Sequence, residues 1–416
     1  MKTFDIDQKI LDLSAKAELE LKETFDRYEK NALNWSARVL KAFQNNYLST
    51  SDFAEVTGYG YSDGGRDKLE AIYAELFGAE DALVRPQIMS GTHALSLTLF
   101  GLLKHGDTMI SISGEPYDSL KSVIGLTGDS RNSLMANGVK YEEIALIDND
   151  FDIPTIVSRL SKSKVKLVEI QRSKGYSQRK SLTIAKIERV IKAIREVDKE
   201  VIIMVDNCYG DMVEDREPTH VGADIIVGSH MKNLGGGLAK TGGYVVGKKE
   251  YVNDVAERFS APCIGKEIGA NLNQLMTYFQ GLYLAPSVVC SALKTATFGS
   301  YMLEKIGYDV DSKWNEKRTD IIQTINLGSG DNLVNFCEGI QLSSPIESYV
   351  KPVPAPMPGY PDDEVMAGGS FISGATIELS CDGPMTPPYT AYMQGGITYE
   401  YGKLGIMLAL NKLLRK

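Results

Sequence analysis

VIIMVDNCYGDMVEDREPTHVGADIIVGSHMKN (201–233) contains two apolar runs, each of which ends on a reactive side chain. The first run, Val201 to Val205, delivers Asp206; the second, Ala223 to Val227, delivers Ser229 and, three residues later, Lys232. Short apolar runs rich in Ile and Val read as strands buried on both faces, the kind that parallel sheets use. In such sheets ligands gather outside the carboxyl ends of the strands. A carboxylate and an amine thus face one crevice.

Outward from this stretch the same alternation continues. Strand-like runs occur at ALVRPQ (82–87), TMISIS (108–113), KVKLVEIQ (164–171) and GGYVVG (242–247), and helical runs at SGTHALSLTLFGLLK (90–104) and LTIAKIERVIKAIREV (182–197). Alternating strands and helices imply an α/β fold with a mostly parallel sheet covered by helices on both faces. Before it, residues 8–44 carry Ile10, Leu13, Ala17, Leu21 and Phe25 near helical spacing, and a second helix runs from Gly65 to Phe77 with a stop at Gly78. After it, residues 262–300 read as a helical bridge, KPVPAPMPGYPDDE (351–364) as a stiff connection rather than a lid, and ITYEYGKLGIMLALNKLL (397–414) as a closing helix.

A chain of 416 residues is long enough for two domains around a shared interface. The net charge of −9 offers no basic stripe, which argues against nucleic acid as a partner. Five scattered cysteines without a CxxC, and four histidines without ligand spacing, suggest neither a disulfide framework nor a metal site. The opening MKTFDIDQKI has acids where a signal peptide would be basic, and no long apolar run follows, so the expectation is a cytoplasmic protein without membrane contact.

Asp206 and Lys232 together are what a pyridoxal 5'-phosphate (PLP) site requires: an amine to hold the cofactor as a Schiff base, and a carboxylate to keep the pyridine nitrogen protonated. The phosphate requires backbone N–H groups at a helix N-terminus, and Ser90, Gly91 and Thr92 open the helix that starts at SGTHA. Ser229 can add a hydroxyl, and Tyr117, just past another strand end in SISGEPYDSL (111–120), offers an aromatic face.

SGTHA, EPYDS, VDNCY and GSHMKN stand in the order and near the spacings of the PLP-dependent Cys/Met metabolism family, which includes methionine gamma-lyase and the cystathionine lyases. GYGYSDGGRDKLE, FGAEDALVRPQ, QRSKGYS, GGGLAKTGGY and YMQGGITYE resemble more specifically its aluminium-resistance branch, so the likeness runs from about residue 50 to the end. It implies fold type I, with a large PLP-binding domain at 65–285, a smaller C-terminal α+β domain at 286–416, and an N-terminal helical segment at 1–64 that contributes to an oligomer. It also implies that Lys232 forms the internal aldimine, that Asp206 pairs with the pyridine nitrogen, that Gly91, Thr92 and Ser229 bind phosphate, and that Tyr117 stacks on the ring. Tyr59, Tyr61 and Arg66 match the segment that reaches the phosphate of a neighbouring subunit. That match implies a homodimer at least, with a homotetramer the expectation.

Three positions depart from the family pattern. Met231 precedes the lysine where many relatives have a hydroxyl, His93 follows the phosphate-binding Gly-Thr and reads as a helix residue, and after Arg318 the only arginine is Arg415. Many fold type I enzymes clamp the substrate carboxylate with a C-terminal arginine, a task suited to a guanidinium. One of Arg172 and Arg179, in EIQRSKGYSQR (169–179), is the expected substitute, ahead of Lys351 or Lys403.

The expected activity is a carbon–sulfur lyase acting on cystathionine, cysteine or methionine, with Tyr117 as the acid for the departing thiolate. A PLP-dependent replacement on activated homoserine uses the same site. A catalytically weak stress protein that keeps the fold is the reading from a different class; no acidic repeat in the sequence suggests a site for a hard trivalent cation.

Overall fold

The computed structural model describes residues 3–357, 360 and 362–415. Strands β1 (Asp81–Arg85), β2 (Thr108–Ser111), β3 (Lys140–Glu143), β4 (Leu167–Gln171), β5 (Ile202–Asp206), β6 (Ile225–Ser229) and β7 (Gly243–Gly247) form one sheet in the order β1-β7-β6-β5-β4-β2-β3. From β3 to β6 every pairing is parallel, while β7 runs antiparallel to both β6 and β1.

Successive side chains of a strand point to opposite faces, and the apolar clusters obey this alternation. Leu167, Ile202, Met204, Ile225 and Val227 pack on one face with Leu95 and Leu99 of α4 (Gly91–Leu102) and Val252 and Val255 of α8 (Lys249–Phe259). Val168, Ile170, Ile203, Val205 and Ile226 pack on the other face with Ile187 and Ile191 of α7 (Ile184–Val197) and Ile72 of α3 (Gly64–Leu76). Both faces are covered, which is why these strands read as apolar throughout.

A second sheet, antiparallel throughout, contains β8 (Asp309–Asp311), β9 (Gln323–Asn326), β10 (Ala355–Pro356), β11 (Asp363–Ala367), β12 (Ser380–Pro384) and β13 (Thr390–Gln394) in the order β10-β11-β12-β13-β9-β8. Its core face packs on α10 (Gly330–Leu342) and α11 (Tyr399–Leu414). The expected division at 285/286 falls inside α9 (Leu275–Lys305), one helix that places Leu282, Ala285 and Val289 in the first core and Phe298, Tyr301 and Met302 in the second.

The N-terminal helical run expected over 8–44 is two helices, α1 (Gln8–Glu20) and α2 (Lys22–Asn45), separated at Leu21. The break lets Ile10, Ala17, Leu21 and Phe25 enter the C-terminal core while Trp35, Val39 and Ala42 enter the large one. Trp35 Nε1 donates to the Glu214 carbonyl at 2.8 Å, and Asn31 Nδ2 to the Met212 and Val213 carbonyls at 3.0 and 3.2 Å. Helix α2 thereby supports the loop that follows β5. Among the described residues no helix is long and apolar enough to cross a membrane.

The chain just after Lys232 is pressed against α9. A Cβ at Gly281 would lie 2.3 Å from the Gly235 oxygen, too close for any side chain. Gly281→Ala should therefore cost about 1–3 kcal/mol by overpacking, despite alanine's better helix propensity. A denaturant midpoint equal to that of the wild type would contradict this contact.

Candidate active site

The alternation that builds the sheet also selects the side chains at its carboxyl edge. Gln171 pairs with Asp206 across β4 and β5, and Gln171, Asp206 and Ser229 continue the face of Leu167, Met204 and Val227, the face on which α4 lies. Three polar groups from three adjacent strands therefore point at the N-terminus of one helix. The Asp206 carboxylate accepts the Cys208 N–H at 3.0 Å, which fixes its orientation.

Lys232 follows β6 by three residues, at the start of a short turn over Asn233–Gly235 closed by Gly236 in the left-handed region (φ 55°). Asn233 Nδ2 donates to the Tyr209 and Asp211 carbonyls at 3.1 and 2.8 Å, binding the lysine's turn to the loop that leaves Asp206. Tyr209 itself has φ +67°, uncommon for a bulky residue, and its ring lies 3.9 Å from Lys232 Nζ. Burial penalises the Lys232 ammonium, but Cys208, Tyr209 and Asp206 outweigh that penalty and hold the amine above the ordinary lysine range.

At the N-terminus of α4, Ser90 is the cap, its Oγ accepting the His93 N–H at 3.1 Å. Accepting that N–H leaves the Ser90 O–H as a donor, so the cap is compatible with the expected phosphate contact. His93 accepts the Met89 N–H at 3.1 Å and belongs to the same cap. Gly91 stands directly over the lysine: a Cβ there would lie 3.1 Å from Cys208 Sγ, 3.5 Å from Ser229 Cβ and 3.8 Å from Lys232 Nζ. Thr92 Oγ1 bonds Ser119 Oγ at 2.7 Å, linking α4 to α5 (Asp118–Ile124). The Ser229 hydroxyl accepts the Met231 N–H at 3.2 Å.

Gly91, Thr92, Tyr117, Gln171, Asp206, Cys208, Tyr209 and Lys232 line one cavity of ≈ 40 Å³. Tyr117 and Gln171 are shared with a second of ≈ 280 Å³ that also meets Lys121, Lys174, Tyr176 and Arg179. The residues present fit PLP. A glycine leaves its backbone open beside the lysine, a carboxylate sits at the strand end, and Gln171 Oε1 is buried there without a partner among the described residues.

The model of the methionine gamma-lyase family matches residues 10–414. The chain belongs to the methionine gamma-lyase family. A Bacillus subtilis protein of uncharacterised function, YnbB, is 47% identical over 381 residues, 91% of this chain and 90% of that protein. Among solved structures, a Clostridium acetobutylicum protein described as a candidate cystathionine beta-lyase involved in aluminium resistance is 46% identical with a TM-score of 0.96, covering 99% of this chain and 96% of its own. A Clostridium novyi protein described as a carbon-sulfur lyase involved in aluminium resistance is 41% identical with a TM-score of 0.95, covering 98% and 97%. The architecture is fold type I of the PLP-dependent enzymes, as the resemblance implied.

Two arginines of this methionine gamma-lyase family member, Arg172 and Arg66, are held inside their own chain. Arg172 follows Ile170 to the opposite face of the sheet, is 0% exposed, and is held by Asn207 (2.8 Å), Glu217 (3.1 Å) and Glu214 (3.5 Å). Its displacement is a matter of one residue of strand parity, since Gln171 takes the site-facing position. Arg66 is also buried, donating to the Gly60 and Gly269 carbonyls at 2.8 and 3.2 Å and pairing with Asp67 at 3.0 Å, so it braces its own loop. Arg179 does line the second cavity, with its guanidinium on the Gln171, Ser173 and Lys180 carbonyls. Burial brings Arg179 down to about 10, with Glu169, Asp320 and Asp206 supporting its charge.

Tyr59 and Tyr61 are 72% and 62% exposed, with ring centroids 5.5 Å apart. Sequence reading missed Gln171, Cys208 and Tyr209; strand parity could have found Gln171, whereas no local signal marks the other two. It also read 351–364 as a plain connection, yet Tyr360 of that segment bonds the Tyr117 hydroxyl at 2.8 Å. Residues 358, 359 and 361 of the segment lie outside the described residues. Among the described residues no group of three or more His, Cys, Asp or Glu is arranged to hold a metal ion.

The two arginines make opposite predictions. Arg172→Ala leaves Glu217 buried without its cation and Glu214 with Lys317 alone, and should cost about 3–5 kcal/mol of stability. Arg179→Ala removes bonds to backbone carbonyls at a cavity wall and should cost no more than about 1–2 kcal/mol. Chemical denaturation of both variants checks the ordering, and equal losses would contradict it.

Proposed function

We propose that this chain is a PLP-dependent carbon–sulfur lyase for a sulfur amino acid, with Lys232 as the covalent anchor of the cofactor. The observation that carries the reading is the Lys232 amine in one cavity with Asp206, beneath a glycine that leaves the helix N-terminus open. Membership of the methionine gamma-lyase family, and the carbon-sulfur lyase description of the C. novyi neighbour, support it.

When bound, PLP supplies an electron sink for the bonds at the substrate's Cα. Around it, the N–H groups of Gly91 and Thr92 at the N-terminus of α4 receive the phosphate, with Ser229 beside them. Asp206 holds a proton at the pyridine nitrogen. Lys232 would anchor the cofactor, and its amine would be the base for the substrate's Cα proton. Tyr117 forms one face of the ring pocket. Burial first, then Tyr209 and Tyr360, pushes its hydroxyl well above the usual tyrosine range, which keeps it protonated but makes it a weaker acid; its place on the cavity wall, not this shift, makes it the donor to the leaving sulfur. Arg179 holds the substrate carboxylate, and the exposed Tyr59 and Tyr61 of a second copy complete the phosphate site in a homo-oligomer.

Purified protein given PLP should show the visible absorption of a lysine-bound cofactor and release 2-oxo acid, ammonia and thiol in equal amounts from a sulfur amino acid. Lys232→Ala should lose both the colour and the turnover. Arg179→Lys should raise KM by about 10–100-fold with a smaller effect on kcat, because a lysine ammonium cannot hold the Gln171, Ser173 and Lys180 carbonyls and a substrate carboxylate at once. Turnover that requires an added thiol and an O-acyl homoserine would overturn the lyase reading.

A further inference from the structure

One row of the large sheet lies directly beneath the site. Ser111 of β2 stands opposite Glu143 of β3 and Glu169 of β4, and Glu169 stands opposite Met204 of β5. The parity that puts Met109, Leu167 and Met204 against α4 puts Ser111 and Glu169 on the same face, one strand period below Gln171 and Asp206. Glu169 is 0% exposed there.

The hydrogen bonds of this row balance only if Glu169 carries a proton. Ser111 Oγ lies 2.8 Å from Glu169 Oε2 and 2.8 Å from the Gly114 carbonyl oxygen. Both are ordinary O–H···O distances, yet a serine hydroxyl has one proton to give, and a carbonyl or an ionised carboxylate has none. With Glu169 neutral, its O–H donates to Ser111 and Ser111 donates to Gly114, so both bonds are made. With Glu169 ionised, two acceptors compete for one proton, and the carboxylate takes it because the charge-assisted bond is the stronger. Glu169 Oε1 is buried without a partner among the described residues, so a charge here would meet no second donor.

The surroundings favour the neutral form. Burial above all pushes Glu169 up to about 7; the Asp206 and Glu143 charges add to that, while Ser111 and Arg179 oppose it. Arg179 is engaged with three backbone carbonyls, and a neutral Glu169 leaves Asp320 and Asp206 to support its charge. Lys121 of α5 and Lys174, on the wall of the larger cavity, are paired with Glu115 and Asp118 and with Asp311. Tyr141 of β3, held above its usual range by burial, then Glu143 and Glu169, brings no positive charge. The one titratable side chain of α4 is His93, which belongs to that helix's cap.

What the proton controls is the segment that carries Tyr117. Gly114 (φ +83°) opens the turn at 114–117 between β2 and α5, and its carbonyl is the one that Ser111 holds. Tyr117, at the end of that turn, lines both cavities.

We propose that Glu169 is a positioning residue: as a neutral acid it leaves the Ser111 proton to Gly114 and so holds the Tyr117 turn at the cavity wall, and its ionisation releases that turn. The value of the turn to catalysis rests on the lyase reading above; the state of Glu169 does not. A carboxyl raised above its unfolded value contributes fully below that value and loses its contribution as pH rises through the folded one, so the turn loosens toward alkaline pH.

Infrared difference spectra of the full-length protein at about pH 6, wild type minus Glu169→Gln, should contain the C=O band of a buried protonated carboxyl. A carboxylate band in its place would overturn the proposal. Amide exchange follows the turn itself. Protection of a peptide spanning 112–120, corrected for intrinsic rates, should fall in the wild type as pH rises through about 7. It should persist in Glu169→Gln, whose amide donates to Ser111 at every pH, and be low throughout in Ser111→Ala. With PLP and a sulfur amino acid, wild-type kcat/KM should fall about 10-fold between about pH 6 and about pH 8, the change in the protonated fraction of a group titrating near 7, and Glu169→Gln should escape that fall. The same pH dependence of protection and turnover in both proteins would sink the idea. The wild-type exchange profile decides even if Glu169→Gln fails to fold, since protection that stays level across neutral pH contradicts the proposal. A protein that binds no PLP, or cleaves no sulfur amino acid, overturns the lyase reading instead, and the infrared and exchange results still judge Glu169.

Discussion

The site depends on a period of two. In β4, β5 and β6, residues of one parity meet α4 and α8 and residues of the other meet α3 and α7, so the last residues of these strands are sorted as strictly as their apolar predecessors. Gln171, Asp206 and Ser229 fall on the α4 side, and Arg172 and Asn207 on the other. A slip of one residue in any of these strands would exchange the two sets and remove the site.

The side without the site has its own polar arrangement, which holds the site's loops in place. Arg172 meets Glu214, Glu217 and Asn207, while Asn207 Nδ2 donates to Asp211 and Glu217 at 2.6 and 2.9 Å. Asp211 also accepts the Tyr244 hydroxyl, and burial, then Glu217, pushes its carboxyl up to about 8. Asn233 joins the same group through the Asp211 carbonyl, so Lys232 and Asp206 are braced from beneath by one network. Trp35 and Asn31 of α2 tie the N-terminal helices to this loop as well.

Much of this was legible in the sequence because it is local. Apolar runs closing on Asp206 and on Lys232, a serine and glycine opening a helix at residue 90, and Gly78 after an amphipathic stretch each carry their signal within a few neighbours. Arg172 shows where such reading fails: a loop arginine at a strand end looks like a clamp, and its parity becomes decisive only once the exact end of β4 is known. The bond from Arg66 to the Gly269 carbonyl, 203 residues away, is likewise invisible to local reading. Asp382 lies in an unremarkable segment, and its bond with Tyr176 follows only from the packing of one sheet on the loop of another.

The central claim is that a single amine, Lys232, holds the cofactor. Borohydride reduction of the PLP-loaded protein, followed by proteolysis and mass mapping of peptides, tests it most directly. The account predicts one pyridoxyl modification, on the peptide that contains Lys232. A modification on Lys174 or any other lysine in its place, or none on a protein that has bound PLP, would contradict it.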